Sequence, residues 1–213
     1  MNFDRSLDAA AGVEVRLSPL VSRLLAPNPG PFTFKGTGVH ILGARARVAV
    51  IDPGPDLPDH IQALKRALGT RQVSHILVTH THRDHSPAAA ALKAWSGAPT
   101  YGLPLRPSQL SRGARLTPAR HDVATAFGSL GREPQPTAVR SAGGGGGPVS
   151  SDAEGMVDEA HDRSFVPDVA VQDGMWISGD GFELECVATP GHTANHICYA
   201  LTPEKALFSG DHV

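Results

Sequence analysis

Thr79-His80-Thr81-His82-Arg83-Asp84-His85 is the stretch of this sequence from which the rest is read. Between His80 and His85 it sets three imidazoles and one carboxylate, the side chains that divalent zinc takes at neutral pH. Ahead of it, Val73-Ser74-His75-Ile76-Leu77-Val78-Thr79 is an apolar run of strand length. Behind it, Ser86 and Pro87 precede Ala88 to Trp95, which reads as an N-cap, a proline in the first turn and a helix. The cluster is expected on a strand-to-helix turn, where several side chains converge on one point.

Three further segments, one before this stretch and two after it, stand in a matching order. Val48-Ala49-Val50-Ile51-Asp52-Pro53-Gly54 is an apolar strand ending in Asp-x-Gly; Thr189-Pro190-Gly191-His192-Thr193 and Phe208-Ser209-Gly210-Asp211 come later. Together with His-x-His-x-Asp-His they resemble the four motifs of the metallo-β-lactamase superfamily. Ala26-Pro27-Asn28-Pro29 and Thr193-Ala194-Asn195-His196 are most similar to the branch with glyoxalase II-type thioesterases and the β-lactamase-like 2 endoribonuclease. The resemblance implies an α/β fold, a four-layer αββα sandwich with metals at one edge, as a single domain over 1–213. In that family a further strand and helix follow the fourth motif and bring a last histidine to the second metal. This sequence runs two residues past Asp211, and His212, one residue on, should point away from it on a strand. The second half of the sandwich is therefore expected to be incomplete, the chain truncated, and the second metal site one ligand short. Apolar strands such as Cys186-Val187-Ala188 and Ala206-Leu207-Phe208 are then expected as open edges, favouring an oligomer or a complementary fragment.

The resemblance also assigns roles. His80, His82 and His192 form one metal site, Asp84 and His85 belong to the other, and Asp211 bridges them. Three neutral imidazoles leave a tetrahedral position open for water. Zinc lowers the pKa of that water from about 15.7 toward 7, so a metal-bound hydroxide is the expected nucleophile, with Asp84 beside it among the catalytic groups. One or two zinc ions per chain are expected. Asp52 suits a role behind the ligands, orienting a histidine from a strand end. His196 is a candidate for a hydrogen bond to substrate, or a strand-start histidine with a backbone partner. Arg83 is either solvated or a contact for an anionic group. His40, His60, His75, His121 and His161 have no motif context and read as ordinary surface or half-buried residues.

Composition bounds the rest. A chain of 213 residues can bury a substantial core, and with 5% aromatic residues aliphatic strands must carry it. A net charge of -2 makes no global case for nucleic acid or membrane. Locally, no acid lies between Asp84 and Asp122, while Lys93, Arg106, Arg112, Arg115 and Arg120 are basic; this segment is a solvated loop or a phosphate contact. Cys186 and Cys198 sit in strand-like runs and read as buried reduced thiols. No stretch approaches the roughly 18 apolar residues of a membrane span, and no signal peptide opens the chain, so a cytoplasmic location is expected.

Strands are expected at 38–42, 47–51, 99–102, 182–188, 196–201 and 206–209, with a helix opened by Asp56 and Pro58, closed by Gly69, and carrying Leu57, Ile61, Leu64 and Leu68 on one face. From about 103 to 160 the pattern dissolves into a flexible insertion holding the glycine-rich 141–148 segment, a linker or, alternatively, a phosphate-cradling loop. The function implied is a metal-dependent hydrolase acting on an ester, thioester or phosphodiester, its partner a small-molecule ester or thioester or single-stranded RNA. The alternatives are a single-strand endoribonuclease, a non-catalytic metal-binding remnant, and oxygen reduction beside a flavoprotein.

Overall fold

The computed structural model describes residues 9–105 and 161–211. The expected insertion, from 106 onward, lies outside the described residues, with its glycine run, Arg106 to Arg120 and His121; so does His212.

Seven strands form one sheet in chain order: β1 (Glu14–Arg16), β2 (Val21–Leu25), β3 (Gly38–Leu42), β4 (Arg47–Ile51), β5 (Gln72–Leu77), β6 (Thr100–Gly102) and β7 (Val169–Ala170). A short turn at 43–46 keeps β3 and β4 antiparallel. Helix α1 (Pro58–Leu68) carries the chain from β4 to β5, and α2 (Ala88–Ser96) from β5 to β6. A strand return of that length permits parallel pairing, and β4, β5, β6 and β7 are all parallel neighbours. The second sheet is antiparallel, with β8 (Trp176–Gly179), β9 (Phe182–Ala188), β10 (Ile197–Leu201) and β11 (Ala206–Phe208) in the order β11-β10-β9-β8.

Strand alternation divides the burial into two cores. Val48 and Val50 of β4 pack with Ala63, Leu64, Leu68 and Leu92 of the helices. Ala49 and Ile51, pointing the other way, pack with Leu184, Ile197, Tyr199 and Phe208 of the second sheet. That two-sided burial is why β4 reads as an unbroken apolar run. Both described α-helices thus cover the seven-stranded sheet, giving α, β and β layers of the expected sandwich. Among the described residues no α-helix lies on the outer face of the four-stranded sheet, where Trp176 and Leu207 are exposed.

Several expectations are corrected. Strands β1, β2 and β7 were not foreseen: β2 is buried by its neighbours rather than marked by alternation, and the other two have only three and two residues. Residues 186–188 are not an open edge. They pair with β10, and on the other side Cys186 exchanges hydrogen bonds with Met175 and Gly174, while Ala188 N–H donates to Asp173. Among the described residues β11 pairs only with β10. Helix α1 has Leu57, not Asp56, at its N-cap, with Pro58 at the first position and Gly69 closing it. Its inner face carries His60, Ala63, Leu64 and Leu68, whereas Leu57 is exposed and Ile61 half-buried. Ser86 does not cap α2, whose N-cap position is Pro87 and which has no side-chain cap; the Ser86 hydroxyl donates to Asp162 at 2.9 Å instead. Both cysteines are buried and reduced, and burial pushes the Cys186 thiol up to about 11. No helix among the described residues is long and apolar enough to cross a membrane.

Candidate metal centre

The turn from β5 to α2 supplies His80, His82, Asp84 and His85, the loop from β9 to β10 supplies His192, and the end of β11 supplies Asp211. The two sheets meet here through Ile197 N–H donating to the Thr79 carbonyl at 2.9 Å and the Tyr199 hydroxyl donating to Val78 at 2.9 Å. Asn195, buried, donates to the Thr81 hydroxyl at 3.1 Å and the Leu103 carbonyl at 3.2 Å, pinning the His192 loop to the turn. Gly210 brings Asp211 in. Its φ of +51 and the nearness of Thr79 Oγ1, 2.5 Å from where a Cβ would lie, leave room for no side chain.

Two donor groups result. His80, His82, His192 and Asp211 place one ligand atom each within 4.8 Å of the others, and Asp84, His85 and Asp211 do the same. In the first, His82 Nδ1 lies 3.0 Å from His192 Nε2, and Asp211 Oδ2 lies 3.4 Å from His192 Nε2 and 3.7 Å from His80 Nε2. In the second, His85 Nε2 lies 3.2 Å from both Asp84 Oδ2 and Asp211 Oδ1. Asp211 therefore turns one oxygen to each group. Ligands about 2.0–2.1 Å from a tetrahedral zinc are about 3.3–3.4 Å apart, and the distances above, from 3.0 to 3.7 Å, bracket that spacing.

Tautomers follow from the donors behind the rings. Thr79 Oγ1 gives its one proton to Asp52 Oδ2 at 2.8 Å, so at 3.1 Å it accepts from His80 Nδ1–H. His80 Nε2 is left bare, buried, and without a hydrogen-bond partner among the described residues. A bare, buried imidazole nitrogen facing other ring nitrogens and a carboxylate fits a divalent cation. Asp52 also accepts from Thr79 N–H at 2.8 Å and sits 3.1 Å from His85 Nδ1. With Nδ1–H turned to Asp52, His85 Nε2 faces Asp84 and Asp211.

The electrostatics have the same origin. Burial, then the charges of His85, His82, His196 and His192, hold His80 far below its ordinary 6.5. Burial, His192 and His161 push His82 down to about 4, against Asp84. Burial also lowers His85, but Asp52, Asp211 and Asp84 outweigh it and hold that ring well above 6.5. Burial raises Asp211, yet His85, His192 and His82 bring it below the usual carboxylate range. In the metal-free chain, a proton on His85 stands where a cation would.

A stability consequence follows. His40, His60, His75, His80, His82 and His161 are lowered in the folded chain, burial being the first cause at each, and His85 is raised. A lowered histidine contributes stability that is full above the unfolded value near 6.5 and is lost as pH falls toward the folded value, about 4 for His40 and His82. His85 acts in the opposite sense. The urea midpoint of the chelator-treated protein is therefore expected to be lower at pH 5.5 than at 7.5, and an equal or higher midpoint would contradict the burial of these rings.

Other residues fall as follows. His196 is wholly buried, 2.8 Å from Thr189 Oγ1 through Nδ1, with its ring 5.1 Å from that of His80. Arg83 is exposed. A cavity of about 480 Å³ borders Asp84, His85 and Asp211, with Phe32, Thr37, His40 and Phe208 among its walls. Three residues went unmarked in the sequence reading. The Thr37 hydroxyl donates to Asp84 Oδ2 at 3.1 Å and is itself held by Asn28 at 3.0 Å. His161, expected to be ordinary, has its ring 4.9 Å from that of His82, because Asp162 N–H donates to the Thr81 carbonyl at 2.6 Å. His60, expected to be an ordinary surface or half-buried residue, is fully buried. No local signal marks a threonine 47 positions before its partner or a histidine 79 positions after its neighbour.

Known proteins share this arrangement of chain. The profile of the metallo-beta-lactamase superfamily matches residues 39–213. A Beta-lactamase-like protein 2 homolog of Caenorhabditis elegans is 29% identical over 199 residues, 92% of this chain and 50% of that protein. The Atrochrysone carboxyl ACP thioesterase dmxR1 of Cryptosporiopsis sp. (strain 8999) is 28% identical over 200 residues, 93% of this chain and 45% of that one. The chain thus spans about half the length of these curated relatives. Among solved structures, a Cronobacter sakazakii metallo-beta-lactamase with a HARLDQ motif superposes with a TM-score of 0.56 at 21% identity, over 91% of this chain and 60% of that one. The B3 metallo-beta-lactamase BLEG-1 gives 0.55 at 20% identity, over 89% and 71%. These two likenesses are of fold. With the matched span holding both donor groups and the strands that carry them, this chain belongs to the metallo-beta-lactamase superfamily.

Proposed function

We propose that this protein is a zinc-dependent hydrolase acting on a thioester or ester. The observation that carries the reading is the convergence of two donor groups on one shared carboxylate, Asp211. His80, His82 and His192 would hold one ion, Asp84 and His85 a second, and Asp211 would lie between them. A divalent ion there supplies Lewis acidity, bringing the pKa of water toward neutrality and polarising a carbonyl oxygen. The chain's own residues do the rest. Thr79 keeps His80 in the tautomer whose Nε2 is bare, and Asp52 does the same for His85 by accepting from Nδ1–H. Thr37 fixes the Asp84 carboxylate by donating to Oδ2 at 3.1 Å, and Asp84 would then take a proton from an attacking water.

A thioester is favoured because several relatives are named as acyl carrier protein thioesterases, among them those of Cryptosporiopsis and Aspergillus novofumigatus. Single-stranded RNA has less support. Arg106 to Arg120 lie outside the described residues, and Lys93 is engaged by Asp168 at 2.5 Å. The test is a paired assay of a chromogenic thioester and an unstructured RNA, each with and without chelator. Thioester hydrolysis is expected to vanish with chelator and to change little with salt. Cleavage of RNA through several phosphate contacts would fall roughly thousandfold between about 50 and 200 mM salt. Salt-steep cleavage of RNA with no thioester turnover would replace this reading, and chelator-resistant turnover would remove the metal.

A further inference from the structure

We propose, resting on the metal-centre reading above, that His60 is a positioning residue that clamps the Asp52-Pro53-Gly54 turn and thereby fixes how His85 faces Asp84 and Asp211. His60 lies on α1, outside both donor groups, and is 0% exposed. Its Nε2 is 2.8 Å from the Pro53 carbonyl oxygen. A carbonyl only accepts, so Nε2 carries the proton and Nδ1 is bare. That Nδ1 is buried without a hydrogen-bond partner among the described residues. A leucine would fill such a helix position without leaving a polar atom unsatisfied, so the one bond His60 makes is what distinguishes it.

The turn that receives this bond is a demanding one. Asp52 has a φ of +49, a left-handed conformation uncommon for a residue with a side chain. Such a conformation persists where its surroundings over-determine it. Here Asp52 N–H donates to the Leu77 carbonyl at 2.8 Å, Gly54 N–H to the His85 carbonyl at 2.9 Å, and Ala88 N–H to the Gly54 carbonyl at 2.9 Å. Proline has no N–H, so the carbonyl of Pro53 is its sole backbone anchor, and His60 holds it. Gly54, at φ +93, is shaped to this ring: a Cβ there would lie 2.6 Å from His60 Nε2. Freed of the clamp, Asp52 relaxes toward the extended region and its carboxylate leaves Thr79 and His85.

The experiment uses the full chain, first free of metal. Nitrogen NMR of the wild type is expected to show His60 neutral, protonated on Nε2 and bare on Nδ1, and a His85 Nδ1–H slow to exchange. His60→Leu should abolish that His85 resonance and weaken cobalt(II) binding by the Asp84, His85 and Asp211 group about tenfold. His60→Gln should restore both, because its Nε2 lies the same number of bonds from the backbone. A proton on His60 Nδ1, or a charged His60 ring, in the wild type overturns the proposal with no variant needed. So does a His60→Leu protein with the His85 signal and cobalt affinity unchanged. Should His60→Leu not fold, a folded His60→Gln protein lacking the His85 signal overturns it, and one retaining it supports it. A wild type that takes up no cobalt, while the His85 signal follows His60 as described, keeps the clamp and removes the metal reading.

Discussion

Replacing His82 with alanine is expected to strip the chain of tightly held zinc and to lower hydrolysis on the order of thousandfold or more. His82 Nδ1 is 3.0 Å from His192 Nε2, and its loss reduces the more imidazole-rich group to two rings and a carboxylate. His80, His192 and the Asp211 carboxylate, which the second group also claims, leave one ligand fewer than the intact set and so a weaker hold on the ion. The fold should survive, because His192, which loses its 3.0 Å partner, is partly exposed and can turn to water, while the bonds from His85 N–H and Ser86 N–H to the His82 carbonyl do not depend on the side chain. Elemental analysis after desalting decides the matter. The wild type is expected to keep about one zinc per chain, since His80, His82 and His192 offer three imidazoles where the other group offers His85 alone. A variant with wild-type zinc would sink the site assignment; two ions held equally well by the wild type would show the Asp84 group to be as complete as its neighbour.

Replacing Asp52 with alanine is expected to have the largest effect on stability, a loss of about 3–5 kcal/mol. Its carboxylate is buried and accepts from Thr79 N–H and Thr79 Oγ1 at 2.8 Å each, with His85 Nδ1 at 3.1 Å. Alanine leaves all three groups without that acceptor at a largely buried position, and deprives the raised His85 of the carboxylate that does most to raise it. Removing one member of a buried charged pair costs more than the pair is worth, because the other stays behind uncompensated. Asn at this position keeps one acceptor oxygen and should fall between. Urea unfolding of the metal-free variants measures the difference at constant slope. A loss under about 1 kcal/mol would mean that these bonds are replaced by water or by a shifted turn.

Much of this site was legible in the sequence because its chemistry is local. His80, His82, Asp84 and His85 sit within one turn after an apolar strand, and no fold is needed to bring them together. Strands β3, β4, β9 and β10 were also readable, each being an apolar run bounded by turn residues. The brief strands β1 and β7 were not, since three- and two-residue segments acquire their pairing from the neighbour and not from their own composition.

What the residues themselves determined is the local cluster from His80 to His85, metal-binding side chains at a spacing that a strand, a turn and a helix impose. The two-sheet plan and the parts given to His192 and Asp211 are what the resemblance to the superfamily implied. Only the tertiary structure decided how those donors are aimed. Asp211 divides its oxygens between two groups because β11 ends beside a turn 126 positions away from it in the chain, counted from His85. Thr37 reaches Asp84, His161 reaches His82, and His60 turns inward to Pro53, each by a contact with no sequence pattern of its own. Hydrogen bonds act over about 3 Å in space and are indifferent to distance along the chain, so the groups that orient a site become visible once the sheets have packed.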